Sequence, residues 1–235
     1  LRKHTAIAAL LLLALVFTAA ACKPKVYTDG TYQAVSQANG TGYTWAKVTI
    51  SKDKITAVEL KEFTGTGMEK DWATYPHAEA KQAWEQLPAR FVAKNGPDVD
   101  NIAKATGSVN KYKEAVKFAL EKAKAKPQIT TTYFNGTFFG MSDANAQGHG
   151  IARVTIENDR ITAVFVDDIT AAGAPKDWET YTHQEANEAR EIMAQRFVEA
   201  GPSGVASVDT VARATGSSDK WKQAVQRALN AAKVK

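Results

Sequence analysis

Two short segments of this chain place hydroxyl groups where phosphate chemistry is possible. Lys104-Ala105-Thr106-Gly107-Ser108 lies just ahead of an amphipathic stretch, and Arg213-Ala214-Thr215-Gly216-Ser217 stands in the same place later in the chain. Glycine lets a backbone approach a ligand closely. Free amides at a helix start, together with the helix dipole, favour a phosphate. Lys104 or Arg213 would add positive charge. Ser108 and Ser217 fall where the N-cap of the following helix is expected. The same pattern also makes a plain capping turn, and spacing alone leaves both readings open.

The elements around these segments are written twice. Val99-Asp100-Asn101-Ile102-Ala103 precedes the first segment and Val208-Asp209-Thr210-Val211-Ala212 the second, an offset of 109 residues. Further upstream the offset is 106. It pairs Tyr27–Tyr32 with Tyr133–Phe138, Asp53–Val58 with Asp159–Val164, and Lys70-Asp-Trp-Ala-Thr-Tyr-Pro-His77 with Lys176-Asp-Trp-Glu-Thr-Tyr-Thr-His183. Three residues are therefore added in the second copy, within Gly201–Ser207. Two copies are too few for a solenoid. The simpler expectation is two similar domains, at 27–126 and 133–235, joined by a linker at 127–132.

Each copy reads as an antiparallel meander followed by helices. The strands expected are Thr31–Val35, Ala46–Ile50 and Ile55–Leu60, with Thr137–Met141, Ala152–Ile156 and Ile161–Val166 as their counterparts. Asn39-Gly40 and Asn145 through Gly148 mark turns, and Lys52-Asp53 and Asn158-Asp159 mark tight ones. Helical stretches follow around His77–Lys94 and His183–Ala200, with Pro88 expected to kink or restart the first. The last helix of each copy is the clearest. Tyr112, Ala115, Val116, Ala119, Leu120 and Ala123 keep helical spacing, and Trp221, Ala224, Val225, Ala228 and Leu229 repeat the stripe. The fold class is α+β, two similar domains, each a small antiparallel sheet packed with helices.

Composition bounds the function classes. The formal charge of +5 is mild and no basic tract supports nucleic-acid binding. One cysteine, Cys22, permits no intrachain disulfide and no cysteine-held haem or iron–sulfur cluster. Residues 1–21 read as a signal peptide: Arg2-Lys3-His4, an apolar run from Ala6 to Phe17, then small residues before Cys22. This arrangement resembles a bacterial lipoprotein box with Ala19 in place of the usual leucine. The resemblance implies lipid on Cys22, a tether over 22–26, and a mature chain held at a membrane surface, facing the periplasm or the cell exterior.

Both copies resemble the FMN-binding domain family, over roughly 27–125 and 133–233. The marks are the opening Asp29-Gly-Thr-Tyr32, the strand with Val48-Thr-Ile50, the following Lys54-Ile-Thr-Ala-Val58, and the segment from Asp100 to Thr106. In that family the segment reads approximately D-x-x-[ST]-G-A-[TS]. The final hydroxyl carries FMN through a phosphoester made by a separate flavin transferase. The resemblance therefore implies FMN at Thr106 and Thr215. Asp100, Ala105, Asp209 and Ala214 match the family pattern. Two positions depart from it in both copies: Ala103 and Ala212 stand where Ser or Thr is expected, and Lys104 and Arg213 where Gly is expected.

A flavin ring needs a flat, largely apolar pocket. Trp72 and Tyr75, with Trp178 and Tyr181, are the twice-occurring aromatics that could line it or could pack helix against sheet. His77 and His183 stand alone in their copies and read as helix-start residues rather than metal ligands. Two functions follow as expectations. One is an exported, lipid-anchored FMN protein carrying electrons between redox partners of unknown identity, rather than an enzyme turning over its own substrate. The other is a cofactor-free surface lipoprotein with a binding or structural role.

Overall fold

A computed structural model of the chain describes residues 24–235. Cys22 and the segment read as a signal peptide lie outside them. Two units with the same order of elements follow one another. The first holds β1 (Gly30–Val35), β2 (Tyr43–Ser51), β3 (Lys54–Phe63), α1 (Ala78–Lys94) and α2 (Thr106–Ala123). The second holds β4 (Gly136–Met141), β5 (His149–Glu157), β6 (Arg160–Ile169), α3 (Gln184–Gly204) and α4 (Thr215–Ala232). Each sheet is an antiparallel meander, β1-β2-β3 and β4-β5-β6.

The local chemistry explains these elements. Lys52 and Asp53 both take positive φ, 51° and 64°, as do Asn158 and Asp159 at 50° and 62°. This is the twist a two-residue hairpin requires. Asp53 then accepts the amides of Val26 and Tyr27, and Asp159 those of Thr132 and Tyr133, fastening each unit's entry to its own hairpin. Along β2 burial alternates residue by residue, with Thr44, Ala46, Val48 and Ile50 inward. The helices press small residues on the sheets. Ala115, Ala119 and Ala123 of α2, and Ala224, Ala228 and Ala232 of α4, are fully buried at four-residue spacing.

Pro88 does not restart α1, which runs unbroken from Ala78 to Lys94. Its buried stripe, Ala80, Ala83, Leu87 and Phe91, passes the proline without losing phase, so packing on the sheet offsets the lost backbone hydrogen bond. The three added residues of the second copy lie beyond a break at Gly201 (φ 64°), in an extra helical turn and a 3-10 turn, Val205–Ser207.

The units pack side by side. Tyr43 is stacked between Phe63 and Phe139, with ring centroids at 4.8 and 5.0 Å. Ala38 donates its amide to the Thr137 carbonyl at 2.7 Å, and Phe118 stacks on Phe134 at 4.2 Å. This contact buries the outer face at the start of β5, so His149 and Ile151 are buried alongside Gly150 and Ala152, which face α4. No helix among the described residues is long and apolar enough to cross a membrane.

Candidate functional site

The twice-written segment makes a turn and then a helix. In the first unit the Ala105 amide donates to the Ile102 carbonyl at 3.1 Å, closing a turn with Lys104 at φ 60°. In the second, Ala214 donates to Val211 at 3.0 Å, with Arg213 at φ 63°. Positive φ at the third turn residue is the conformation that favours glycine. A basic residue holds it in both units. Lys104 then reaches Glu79 at 3.7 Å, and Arg213 reaches Glu185 at 2.7 Å, tying the turn to the first turn of α1 or α3. These side chains are largely exposed, so the pairs stabilise little.

The helices begin three residues earlier than the sequence led us to expect. Thr106 and Thr215 are the first residues of α2 and α4, and the buried Ala105 and Ala214 are the caps. Ser108 and Ser217 are therefore not N-caps but third residues of their helices. The cap works through backbone: the Ala105 and Ala214 carbonyls accept the Val109 and Ser218 amides, both at 2.9 Å. Ahead of them, the amides of Thr106, Gly107 and Ser108 find no acceptor among the described residues, as helix geometry dictates.

The hydroxyls of Thr106 and Thr215 are exposed and unengaged by described residues. A Cβ placed at Gly107 or Gly216 would meet nothing within 4 Å, so the space beside each helix start is open. Free amides, a free hydroxyl and that space fit a phosphate group. Asp100 and Asp209 are also exposed. Their carboxylates form no hydrogen bond among the described residues, and Arg196 binds the Asp209 carbonyl at 2.8 Å.

Beneath the first helix start lies a group that sequence reasoning missed. Glu62, at the end of β3, is buried and takes three donors: Lys70 Nζ at 2.5 Å, Tyr112 Oη at 2.7 Å and Ser108 Oγ at 3.2 Å. Lys70 is itself half-buried, hydrogen-bonded to Tyr75 Oη at 2.9 Å and 4.1 Å from the Tyr75 ring centroid. Burial pulls the Lys70 pKa down. Hydrogen bonds to Glu62 and Tyr75 and their charges outweigh that effect and leave it raised. Burial, then the charge of Glu62, pushes the Tyr112 hydroxyl far up, so it stays a donor.

The second unit repeats the arrangement with different parts. Asp168 takes Lys176 Nζ at 2.9 Å and Ser217 Oγ at 2.7 Å, and Lys176 lies 4.0 Å from the Tyr181 ring. Trp221 replaces Tyr112 and sends its Nε1 to the Asp167 carbonyl instead, at 3.0 Å. Asp168 Oδ1 is left buried with no partner among the described residues. The signal for both pairs was present: each acid falls at the 106-residue offset, eight residues before a lysine already noted as duplicated.

The aromatics divide. Tyr75 and Tyr181 cover the half-buried lysines. Trp72 stacks on Trp84 at 5.4 Å and meets Tyr75 edge-on. Trp178 is buried in the core, its Nε1 on Asp167 at 2.6 Å and the Arg190 guanidinium 4.9 Å from its ring. His77 and His183 are the residues preceding α1 and α3, lying edge-on to Tyr75 and Tyr181. No cluster of three or more metal-ligating side chains occurs among the described residues.

Comparisons with known proteins give a family-model match over part of the chain. The model of the FMN-binding domain matches residues 40–121, from the turn before β2 through most of α2, including Thr106 and the Glu62–Lys70 pair. Two solved structures are similar. A crystal structure of a Clostridium perfringens protein is 25% identical, covering 41% of this chain and 88% of its own, with a TM-score of 0.36. A solution structure from Clostridium thermocellum is 19% identical, covering 40% of this chain and 90% of its own, with a TM-score of 0.27. A search of curated proteins gave no match.

Proposed function

We propose that this chain is an exported, lipid-anchored carrier of electrons holding one FMN in each unit. The observation that carries the reading is the exposed Thr106 hydroxyl at the first residue of α2, inside the segment matched by the FMN-binding domain model. The repeat of that turn at Thr215 extends the reading to the second unit. The residues that would hold the cofactor are those at the helix starts. Amides of Thr106, Gly107 and Ser108, and of Thr215, Gly216 and Ser217, would receive the phosphate. The threonine oxygen would attack the FMN phosphorus of a flavin phosphoanhydride bound by a flavin transferase, forming the phosphoester as the P–O anhydride bond breaks. The other phosphate of the donor would leave, and the threonine proton would pass to a base. FMN supplies the redox chemistry, and the protein positions and shields it. Redox partners would meet it at the membrane surface, where lipid on Cys22 would hold the chain.

The test is to express the full chain with a matching flavin transferase and examine a denaturing gel for flavin fluorescence. A fluorescent band that disappears in Thr106→Ala plus Thr215→Ala is the expected result. A dark band, together with no FMN binding by titration, would overturn the carrier reading. Labelled palmitate should enter the wild-type chain and not Cys22→Ser; no label in wild type removes the anchor. A second reading, a cofactor-free lipoprotein, draws on Lys104 and Arg213. These occupy the position where the family carries glycine, and both are tied down by acids.

A further inference from the structure

We propose that the pairs of a buried acid with a half-buried lysine, Glu62 with Lys70 and Asp168 with Lys176, are the positioning elements of the two helix starts. Each fixes the direction in which Thr106 or Thr215 presents its hydroxyl and neighbouring amides. This rests on the FMN reading, since it names what orients that site.

Removing two charges from water is expensive, and a well-packed apolar pair in the same place is often as stable or more so. A contact needed only to join helix to strand would be better served by leucine. Yet in both units the pair sits at the end of the third strand, directly under the candidate site. Its construction is also over-determined. The Lys70 amide donates to the Glu62 carbonyl at 2.8 Å, and the Lys176 amide to the Asp168 carbonyl at 2.8 Å. Lysine and acid are thus joined through backbone as well as side chain.

What the pair grips is the hydroxyl of Ser108 or Ser217, two residues past the threonine. A residue in the first turn of a helix rotates with its neighbours, so holding the serine sets the azimuth of the threonine. Tyr75 and Tyr181 close the other side of the lysine and bring in the loop that leads to α1 or α3. Comparison of the units separates what is kept from what is exchanged. The acid shortens from Glu to Asp, and its tyrosine partner becomes Trp221, which bonds elsewhere. The serine–acid–lysine contact persists through both changes.

The experiment uses the full chain with the flavin transferase and reads each site separately. Trypsin releases Ala105–Lys111 and Ala214–Lys220, so mass spectrometry reports FMN on Thr106 and Thr215 from the same molecules. Glu62→Gln and Ser108→Ala should slow labelling of Thr106 by about tenfold or more, mainly in kcat, because ångström-scale misplacement costs this much. Thr215 in the same chain should label normally, which shows that the transferase is active and the second unit folded, and unchanged amide signals along β1, β2 and β3 show the same of the first unit. Glu62→Asp, the residue of the second unit, should restore labelling. A second readout needs no transferase: the amide signals of Thr106, Gly107 and Ser108 during titration with inorganic phosphate. Their response should weaken in Glu62→Gln and return in Glu62→Asp. Wild-type labelling and wild-type phosphate response in Glu62→Gln would overturn the positioning role. An unlabelled parent chain whose phosphate response still depends on Glu62 would remove covalent attachment and keep the role. A parent chain with neither label nor response to phosphate or FMN would overturn both.

Discussion

The second unit seats Trp221 over Gly150, whereas the first carries Tyr112 and Thr44 at the equivalent positions of the two copies. Both large rings are fully buried. A Cβ at Gly150 would come within 3.0 Å of Trp221 Cδ1 and 2.8 Å of Lys220 Cβ, so the larger ring is admitted only because its floor has lost a side chain. Volume is exchanged between strand and helix with its sum roughly kept, as close packing demands. Above that floor little changes. The turn with positive φ at Lys104 or Arg213, the alanine cap, and the serine on a buried acid recur. The two units differ in the floor and in the acid's aromatic partner, and agree in the serine–acid–lysine contact beneath the helix start.

The sharpest way to break the comparison is at Gly140, whose counterpart is Ala34. A Cβ at Gly140 would lie 2.0 Å from the Ala224 carbonyl oxygen and 2.5 Å from the Ala228 amide, both backbone atoms of α4. Ala34 already carries that methyl group while buried. Gly140→Ala should therefore destabilise the second unit by about 2–3 kcal/mol, near the upper range for overpacking. Ala34→Gly should cost the first only about 0.5–1 kcal/mol. Chemical denaturation with the two transitions followed separately measures both. Equal effects would show that α2 and α4 sit at the same distance from their sheets.

The floor itself offers a smaller test. Tyr112→Trp in the first unit should cost about 1–2 kcal/mol through crowding against Thr44, and through loss of the hydroxyl that serves Glu62. Adding Thr44→Gly should recover the crowding part and leave the hydrogen-bond part. A double-mutant cycle on unfolding free energy separates them. Full additivity would mean that the two positions do not compensate each other.

Much of this architecture was legible beforehand, and what was not has physical reasons. The meanders followed from paired turn residues such as Lys52-Asp53, and the last helices from the alanine-rich stripes. The acid–lysine pair escaped because its members belong to different elements and meet only in three dimensions. Glu62 lies forty-six residues from Ser108, and a lone acid on a strand reads as a polar face. The early start of α2 escaped because Ala105 caps through its backbone, for which no side-chain signal exists. Pro88 misled because the rule against proline inside helices concerns one hydrogen bond, and four buried side chains outweigh it.

The shared turn can be sharpened by restoring glycine. Lys104 at φ 60° bears a left-handed cost of about 1–2 kcal/mol, and glycine returns part of this as unfolded-chain entropy. The exposed pair with Glu79 adds little. Lys104→Gly should thus stabilise the first unit by about 0.5–1 kcal/mol, read as a raised melting midpoint, and Arg213→Gly the second by a similar amount. A loss of stability would show that the tie to Glu79 outweighs the strain. If the transferase favours glycine at this place, label on Thr106 should rise as well.

The smallest effect lies where the units join. Glu121, near the end of α2, accepts the amides of Gln128 and Ile129 at 2.8 and 3.1 Å and pairs with Lys124 at 2.5 Å. The equivalent residue at the end of α4 is Asn230, which cannot ionise. Burial raises the Glu121 pKa, but the hydrogen bonds from Lys124, Gln128 and Ile129 outweigh it and hold the carboxyl below its ordinary 4.5. A lowered folded pKa means that the contribution is complete above the ordinary value and is lost as pH falls through the folded one. Acidification below about pH 4.5 should therefore release the segment from 124 to 131 while the two sheets persist. Glu121→Gln should loosen the same segment at neutral pH, by less than about 1 kcal/mol. Amide exchange at Gln128 and Ile129 follows both. The end of α4 has no such carboxyl, so a matching acid response there, at Lys233 and Val234, would assign the change to general acid loosening rather than to Glu121.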